Sequence, residues 1–288
     1  MIDILMFGLT RGAVYALVAV GFVLVFSVGG ILNLAHGTFF MLGAYFTYIF
    51  HVEVIGQAGL IPLLASMALA IVTVAVFAVL IYRFIYLRHI ESISYVMVIS
   101  LAIALLVSEV MSLLYGVTGT SVPPIISGSQ VVFGTRVLNQ ELLILPICAF
   151  VLIGLWLFLQ HTKTGKALTA VAQNREGAML IGINTKYMLA LTIFLSAALA
   201  ALAGTLVSSL VTVVPDMWVF WLIKAFAIAI VGGLGSIYGA IIAAFLLSFA
   251  EIITFTLTSE QYADLVALGI IIAILVFKPS GIMGTRRI

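Results

Sequence analysis

Two polar side chains interrupt an apolar stretch near the N-terminus. Residues 29–37 read GGILNLAHG, so Asn33 and His36 stand between glycines in the middle of what would otherwise be one membrane span. A second glycine-rich run, VGGLGSIYG at residues 231–239, divides a long apolar segment near the C-terminus. Polar groups and glycines at such places can serve catalysis, cofactor binding or passage of a solute, and the residue types decide among these.

The sequence argues against an enzyme. The second glycine run reads GxGxxxG, whereas a dinucleotide fingerprint reads GxGxxG within a βαβ unit. Ser236 with His36 is the one tempting nucleophile and base, and nothing positions a third group or an oxyanion hole. The stretch QHTKTGKA has Gln160 and Ala167 where a P-loop needs Gly and Ser or Thr. We therefore expect neither catalysis nor ATP hydrolysis by this chain.

Metal and nucleic-acid sites are not expected either. The four histidines are scattered without a ligand spacing, and the single cysteine, Cys148, lies in an apolar run. The formal net charge of +2 is too small to suggest a nucleic-acid partner. We expect no cofactor bound by this chain.

The composition is that of a polytopic membrane protein. Hydrophobic residues make up 65% of the 288 residues and charged residues 8%, against about 45–50% and about 25% in soluble domains. The apolar segments have the length of membrane-spanning helices. They lie at about 8–28, 36–55, 60–82, 92–115, 141–160, 187–212, 222–257 and 262–277. We predict one all-α transmembrane domain over residues 1–288.

Two of these segments are predicted to be broken. The 222–257 segment is too long for one span, so we predict a half-helix at 222–231 that ends at the glycines, after which 236–257 re-enters or crosses. The break at 29–37 also precedes a Gly-Ala pair, which suggests two pseudo-repeats with one break each. Such paired interruptions indicate the central route of a transporter. Gly232, Gly233, Gly235 and Ser236 are accordingly predicted to form a hinge or part of that route.

Basic residues predict the orientation. Most of them lie at 83–88, 163–186 and 278–287, which the positive-inside rule places in the cytoplasm together with the C-terminus. The loop 116–140 has a single arginine and falls outside. Glu109 and Glu251, placed by the rise of their helices, are predicted near the outer mouth, either for substrate or merely reaching the interface.

The cytoplasmic loop, about 161–186, has the pattern of folded structure. A helix is predicted from about Gly165 to Gln173, Asn174 is a good N-cap for a second helix, and Gly182 is a natural stop. The second helix would present Ala178, Met179 and Ile181. These small and apolar residues suit the groove of a partner protein, and the alternative is a helix lying on lipid headgroups.

Stripes of small residues predict close helix packing in lipid. They run at four-residue spacing along three segments: Gly8, Gly12 and Ala16; Ser196, Ala200, Gly204 and Ser208; and Ser236, Ala240, Ala244 and Ser248.

Three separated motifs carry a family resemblance. They are GLTRGAVYALVAVGFVLVFSVGGILNLAHGTFFMLGAY, TKTGKALTAVAQNREGAMLIGI and IKAFAIAIVGGLGSIYGAIIAAFLLSFAEI, and the chain closes with FKPSGIMG. Together they resemble the membrane permeases of branched-chain amino-acid ABC importers, of the LivH type. One departure is VMVISLAIALLVSE, where the family leads us to expect Thr-Ile-Gly at 99–101.

The resemblance implies partners and roles. The partners are a second permease of the LivM type, two ATP-binding subunits that use the ATP, and an extracytoplasmic substrate-binding protein. The segment from Thr164 to Gly182, with Gly165, Asn174 and Ala178, corresponds to the ATPase-coupling segment. Asn33, His36 and Gly37 would line or hinge the central route, the alternative being that Asn33 and His36 cap helix ends.

We expect a permease that imports branched-chain or related amino acids by alternating access across a prokaryotic inner membrane. The alternative from another class is a passive channel or facilitator for a small polar solute such as urea or an amide. A channel has no need of a structured, apolar-faced cytoplasmic helix.

Overall fold

The protein is almost entirely helical in a computed structural model that describes residues 2–57, 59–89, 92–132, 134–278 and 280–284. A π-helical turn (Ile49–Ile55) continues α2, and a 3-10 turn (Tyr86–Arg88) follows α3. The α-helices are α1 (Ile2–Gly29), α2 (His36–Tyr48), α3 (Leu60–Phe84), α4 (Ile93–Tyr115), α5 (Asn139–His161), α6 (Lys163–Gln173), α7 (Arg175–Leu180), α8 (Thr185–Val207), α9 (Met217–Gly232), α10 (Ile237–Leu257) and α11 (Glu260–Phe277).

Each predicted apolar segment contains at least one helix. Within the described part of the chain, seven helices are long and apolar enough to cross a membrane, and α9 and the apolar part of α11 are shorter. The predicted class, an all-α polytopic bundle, is confirmed.

The predicted break near residue 232 is present, with different bounds. The 222–257 segment is two helices, α9 and α10, separated by residues 233–236. The first begins at Met217 and not at 222, so its 16 residues span about 24 Å along the helix axis. It is therefore longer than the predicted half-helix.

A small hairpin lies in the loop 116–140, for which the sequence predicted a side of the membrane and no strands. Strands β1 (Ser129–Val132) and β2 (Thr135–Leu138) pair antiparallel, with Ser129 opposite Leu138. Gly134 in the turn has a φ of 88°, a conformation that glycine adopts without steric cost. Four-residue strands are too short to give a clear alternating pattern in the sequence.

The chain divides into two compact units, each built from separate stretches. The first comprises Met1–Val23, Ile126–Ile153 and Lys224–Ile288, and the second comprises Leu24–Ile125 and Gly154–Ile223. Each is described by itself below.

In the first unit, the start of α1 packs against α10 through glycines. A side chain at Gly8 would collide with the ring of Phe249, and one at Gly12 with the ring of Phe245. The Ser248 hydroxyl donates to the carbonyl oxygen of Gly8 at 2.8 Å. The predicted stripe on α1 therefore packs closely, against two phenylalanine rings of α10, and Ser248 is the residue of the α10 stripe for which a contact with α1 is seen.

In the second unit, α2 is the buried central helix and packs against α3 and α8. A side chain at Gly43 would strike the backbone of Ala201, and one at Gly204 would strike the carbonyl oxygen of Phe40. The stripe predicted on α8 thus lets two helix backbones touch, as expected when packing in lipid depends on close approach.

Candidate functional site

The first break begins where α1 ends. Gly30 follows the last residue of α1 with a φ of 65°, and its N–H donates to the carbonyl oxygen of Phe26 at 2.8 Å. This left-handed glycine is a common way for a helix to stop. Residues 31–35 then connect to α2. The carbonyl oxygens of Asn33 and Ala35 accept from N–H groups in the first turn of α2, and side chains bind the N–H groups of Leu34 and Ala35.

Asn33 is the buried centre of this break. Its side-chain oxygen accepts hydrogen bonds from the N–H of Ala35 and from the hydroxyl of Tyr86, both at 3.1 Å. Only 2% of Asn33 is exposed, and its side-chain nitrogen has no hydrogen-bond partner among the described residues. An unpaired buried amide donor costs about 1–3 kcal/mol, so this nitrogen is a candidate contact for water or solute.

Ser100 on α4 holds the next residue of the break. Its hydroxyl accepts a hydrogen bond from the N–H of Leu34 at 3.0 Å and donates to the carbonyl oxygen of Met97 at 2.9 Å. Ser100 is one of the three residues at which the sequence departs from the expected Thr-Ile-Gly. No sequence pattern linked Tyr86 or Ser100 to the break, because both contacts span more than fifty residues.

His36 is the first residue of α2 and is 1% exposed. Its Nδ1 lies 3.3 Å from the hydroxyl oxygen of Ser196 on α8, a residue of the predicted small stripe. The N-cap of α2 is Ala35, and no side chain caps that helix. The Asn33 side chain does accept from the N–H of Ala35 at the start of α2, so the choice for Asn33 and His36 between lining a route and capping a helix end stays untested.

Gly37 lies within helix α2 and has no left-handed backbone. A side chain there would collide with the carbonyl oxygen of Trp218 and with Leu222, in the first turns of α9. Glycine is required at position 37 because α2 and the first turns of α9 approach closely there. The predicted hinge at Gly37 remains a prediction.

The second break repeats the pattern of the first. Gly232 ends α9, and Gly233 follows with a φ of 102°, as Gly30 follows Gly29. Gly235 also has a positive φ, of 93°. Ser236 is the N-cap of α10, and its hydroxyl accepts from the N–H of Gly239 at 3.1 Å. Ser236 thus has a local structural role, and its predicted place on the solute route is untested.

The C-terminal segment 280–284 packs onto this second break. The N–H of Ile282 donates to the carbonyl oxygen of Val231 at 2.7 Å, and that of Met283 donates to Gly232 at 3.0 Å. A side chain at Gly233 would collide with Gly284. The closing motif FKPSGIMG therefore satisfies the last carbonyl groups of α9, a contact that the sequence did not predict.

Glu251 does not lie free at an outer mouth. It is 3% exposed, its carboxylate forms an ion pair with Lys224 of α9, and it accepts a hydrogen bond from the Tyr15 hydroxyl of α1 at 2.7 Å. A charge in an apolar setting needs such partners. The prediction that Glu251 reaches the interface is therefore corrected. Glu109, by contrast, is exposed, and its predicted role at the outer mouth is untested.

Lys224 is the charged residue that the sequence analysis missed. The basic residues that predict the orientation lie between apolar segments, whereas Lys224 lies within the 222–257 segment. A lone lysine among apolar residues, followed by a glutamate 27 positions later, was a usable indication of a buried pair.

The loop 161–186 folds much as predicted. Asn174 caps α7 by accepting from the N–H of Gly177 at 2.8 Å. Gly182 has a φ of 84°, and the N–H of Ile183 donates to the carbonyl oxygen of Ala178 at 3.0 Å, which closes the helix in a Schellman motif. The cap of α6 is Thr162, whose hydroxyl accepts from the N–H of Gly165 at 2.9 Å.

Gly165 and Thr164, which were also predicted to take part in ATPase coupling, lie in the first turn of α6. Gly165 is buried, and a side chain there would collide with the carbonyl oxygen of Phe158 at the end of α5. Thr164 is half-buried in the first turn of α6. Their predicted part in ATPase coupling is untested.

Ala178 faces the protein and not the surroundings. It is 3% exposed, whereas Met179, Leu180 and Ile181 are 49%, 88% and 75% exposed. The prediction that α7 presents Ala178 is therefore corrected, because a helix of six residues is too short for its sequence to define a face. The exposed apolar surface, called here the loop patch, is Met179, Leu180 and Ile181.

The described residues contain no group of three or more His, Cys, Asp or Glu side chains that could hold a metal ion. Cys148 is buried within α5. The arrangement is one of broken helices with polar, tightly held connections, together with an apolar patch on an ordered loop.

Comparison with known proteins identifies the family. The profile of the family described as branched-chain amino acid transport system, permease component, matches residues 4–275. The permease protein BraD of a high-affinity branched-chain amino acid transport system from Pseudomonas aeruginosa is 33% identical, over 98% of this chain and 95% of its own. LivH from Escherichia coli is 31% identical, over 98% and 94%.

The fold has a counterpart among solved structures. A chain of PsaBC from Streptococcus pneumoniae, solved with a Fab, superposes with a TM-score of 0.52 at 12% identity, over 96% of this chain and 92% of that one. At this identity the likeness concerns the fold alone. The family match and its helices make this chain a multi-pass inner-membrane protein and one component of a transport system, and not an enzyme. The chain belongs to the family of permease components of branched-chain amino acid transport systems.

Proposed function

We propose that this chain is the membrane-spanning permease subunit of an ATP-driven importer that moves branched-chain or related amino acids by alternating access. The printed descriptions of its family and of relatives over 98% of its length support the substrate class. ATP is used by two partner subunits, a second permease of the LivM type completes the membrane part, and an extracytoplasmic binding protein delivers the amino acid.

The observation that carries the proposal is the loop patch. A six-residue helix is unstable alone, yet α7 is capped at both ends, and the buried Ala178 fixes it to the protein. Its exposed side chains are apolar, and exposed apolar surface on an ordered element is typical of a binding site for another protein. In the proposal an ATPase groove receives the loop patch.

The two breaks are where the proposed motion acts. Each joins two membrane helices through a left-handed glycine, Gly30 in one case and Gly233 in the other. A change in the backbone angles of such a connection alters the direction of the following helix without unfolding it. In the proposal the ATPases move the loop, and the helices that follow the breaks change which side of the membrane the central route faces.

The proposed orientation puts the loop 161–186 and the C-terminus in the cytoplasm and the β1–β2 hairpin outside. Lys163, Lys166, Arg175 and Lys186 support the first assignment, and Lys278 the second. Arg286 and Arg287, which the charge argument also used, lie outside the described residues.

The test is a charge placed on the loop patch. Leu180→Glu puts a carboxylate where the ATPase groove is proposed, and Val131→Glu on strand β1 is the matched control, since both leucine and valine are exposed, at 88% and 68%. We expect Leu180→Glu to abolish copurification of the ATPases and ATP-driven uptake, while Val131→Glu keeps the ATPases.

Two results would contradict the proposal. Full ATPase stoichiometry and normal uptake in Leu180→Glu would show that the loop patch does not receive the ATPases. If the inserted Leu180→Glu variant instead kept its ATPases and its α7 lost contact with the lipid headgroups, α7 would be a helix that lies on the membrane surface.

A further inference from the structure

A cavity lies at the end of α3, apart from the breaks and the loop patch. It has a volume of about 270 Å³ and is lined by Arg83, Phe84, Leu87 and Arg88. The first two residues end α3, and the others belong to the 3-10 turn that follows. Two guanidinium groups and two apolar side chains thus share one concave surface.

The cavity is positively charged. Arg83 and Arg88 are both exposed, and neither forms an ion pair within the described part of the chain. Arginine presents a planar fork of donors that matches phosphate oxygens, so this surface suits a phosphate group.

An apolar path leads from the cavity along α3. Val72, Val76, Leu80 and Phe84 recur every four residues on one side of the helix and are 54%, 46%, 47% and 62% exposed. The twelve-residue interval from the first to the last spans about 18 Å, close to the roughly 15 Å hydrocarbon depth of one leaflet. α3 is among the helices long and apolar enough to span the membrane.

The position of the cavity agrees with the cytoplasmic leaflet. Tyr82, in the last turn of α3, donates from its hydroxyl to the carbonyl oxygen of Lys186 at 3.1 Å. Lys186 lies in the first turn of α8, where the loop 161–186 ends. The cavity therefore lies at the same end of its unit as that loop, where basic side chains meet anionic headgroups.

We propose that this cavity binds the headgroup of an anionic phospholipid, with Arg83 and Arg88 on its phosphate and an acyl chain along the apolar path of α3. The apolar path indicates which ligand occupies the cavity. A free phosphate would contact only the arginines, and an acidic protein surface would leave the apolar path uncovered. A diacyl phospholipid fills both the cavity and the path. The bound lipid becomes part of the support for the turn that carries Tyr86, the partner of Asn33.

The test counts phospholipids retained by the purified transport complex in native mass spectrometry, after exchange into mixtures of phosphatidylglycerol and phosphatidylcholine. The variants are Arg83→Gln, Arg88→Gln and the pair together. Arg136→Gln, an exposed arginine on strand β2, is the control for lost charge. Each single cavity variant should weaken phosphatidylglycerol retention about fivefold and the double variant about 25-fold, because each arginine near an anionic headgroup contributes about 1 kcal/mol. Arg136→Gln and retention of phosphatidylcholine should be unchanged.

Two further measurements use lysine at the two arginine positions and inorganic phosphate as a competitor. Lysine at both cavity positions should retain most of the phosphatidylglycerol, because the charge is kept. Wild-type retention in the paired glutamine variant would overturn the proposal. So would displacement of phosphatidylglycerol by millimolar inorganic phosphate, which would indicate a free-anion site. Loss of the ATPases with lipid retention unchanged would assign the arginines to the ATPase and would also overturn it.

Discussion

Removing Lys224 should destabilise the protein far more than removing both members of its ion pair. The side chains of Lys224 and Glu251 are only 10% and 4% exposed, so Lys224→Met leaves a buried carboxylate with Tyr15 as its described hydrogen-bond donor. Leaving such a charge unpaired costs about 3–5 kcal/mol, whereas replacing both charges by apolar or neutral groups is often close to neutral. We expect the Lys224→Met, Glu251→Gln double variant to lose less stability than Lys224→Met alone.

The assay is a double-mutant cycle on the free energy of unfolding, measured by titrating the purified chain with SDS in mixed micelles. Tyr15→Phe removes one hydrogen bond to the carboxylate and should cost about 1.5–3 kcal/mol. Lys166→Met, at an exposed position, is the control and should stay within about 0.5 kcal/mol of wild type. The buried pair would be refuted if the double variant lost as much stability as Lys224→Met and Glu251→Gln together. It would also be refuted if Lys224→Met alone cost less than about 1 kcal/mol.

Three further predictions follow from the breaks and the orientation. Gly233→Val forces a branched side chain into a φ of 102° against the C-terminal segment, so uptake should be lost while membrane insertion, measured by fractionation, persists; normal uptake would show that the glycine is dispensable. Asn33→Ala removes the acceptor of the buried Tyr86 hydroxyl and should cost about 1–3 kcal/mol in the SDS titration, more than Tyr86→Phe, with the reverse order contradicting the contact. A membrane-impermeant thiol reagent applied outside cells should label Ser129→Cys and not Gln173→Cys, and the opposite pattern would reverse the orientation.

Features set by neighbours in the chain were predictable from sequence. The membrane helices follow from the length of the apolar segments, and the break at Gly232 and Gly233 follows from glycines in a segment too long for one span. The ends of α7 follow from Asn174 and Gly182, because a cap acts within one helical turn.

Features set by packing between distant residues were not predictable. Glu251 was placed by counting helical rise from Ser236, which gives a distance along one helix and no information about the helix beside it. Its pairing with Lys224 depends on how α9 and α10 rotate against each other. Ala178 was assigned to an exposed face for a similar reason: α7 contacts both α6 and α8, and those contacts decide which side is buried.

The two breaks look alike in sequence and are held differently. The first is held by side chains, through the hydroxyls of Tyr86 and Ser100 on other elements of its unit. The second is held by backbone, through Ile282 and Met283 of the C-terminal segment. The two breaks share a left-handed glycine after α1 and after α9, the contacts that fix them differ, and the pseudo-repeat stays a prediction.

The central claim is that this permease moves amino acids at the expense of ATP hydrolysed by partner subunits. The direct measurement is uptake of radiolabelled leucine into proteoliposomes that contain the complete complex, with ATP enclosed or omitted and the binding protein present or absent outside. Leucine should accumulate above its external concentration only when both ATP and the binding protein are present, and unlabelled valine or isoleucine should compete. Equilibration of leucine or urea to the external concentration without ATP would contradict the account and identify a passive channel.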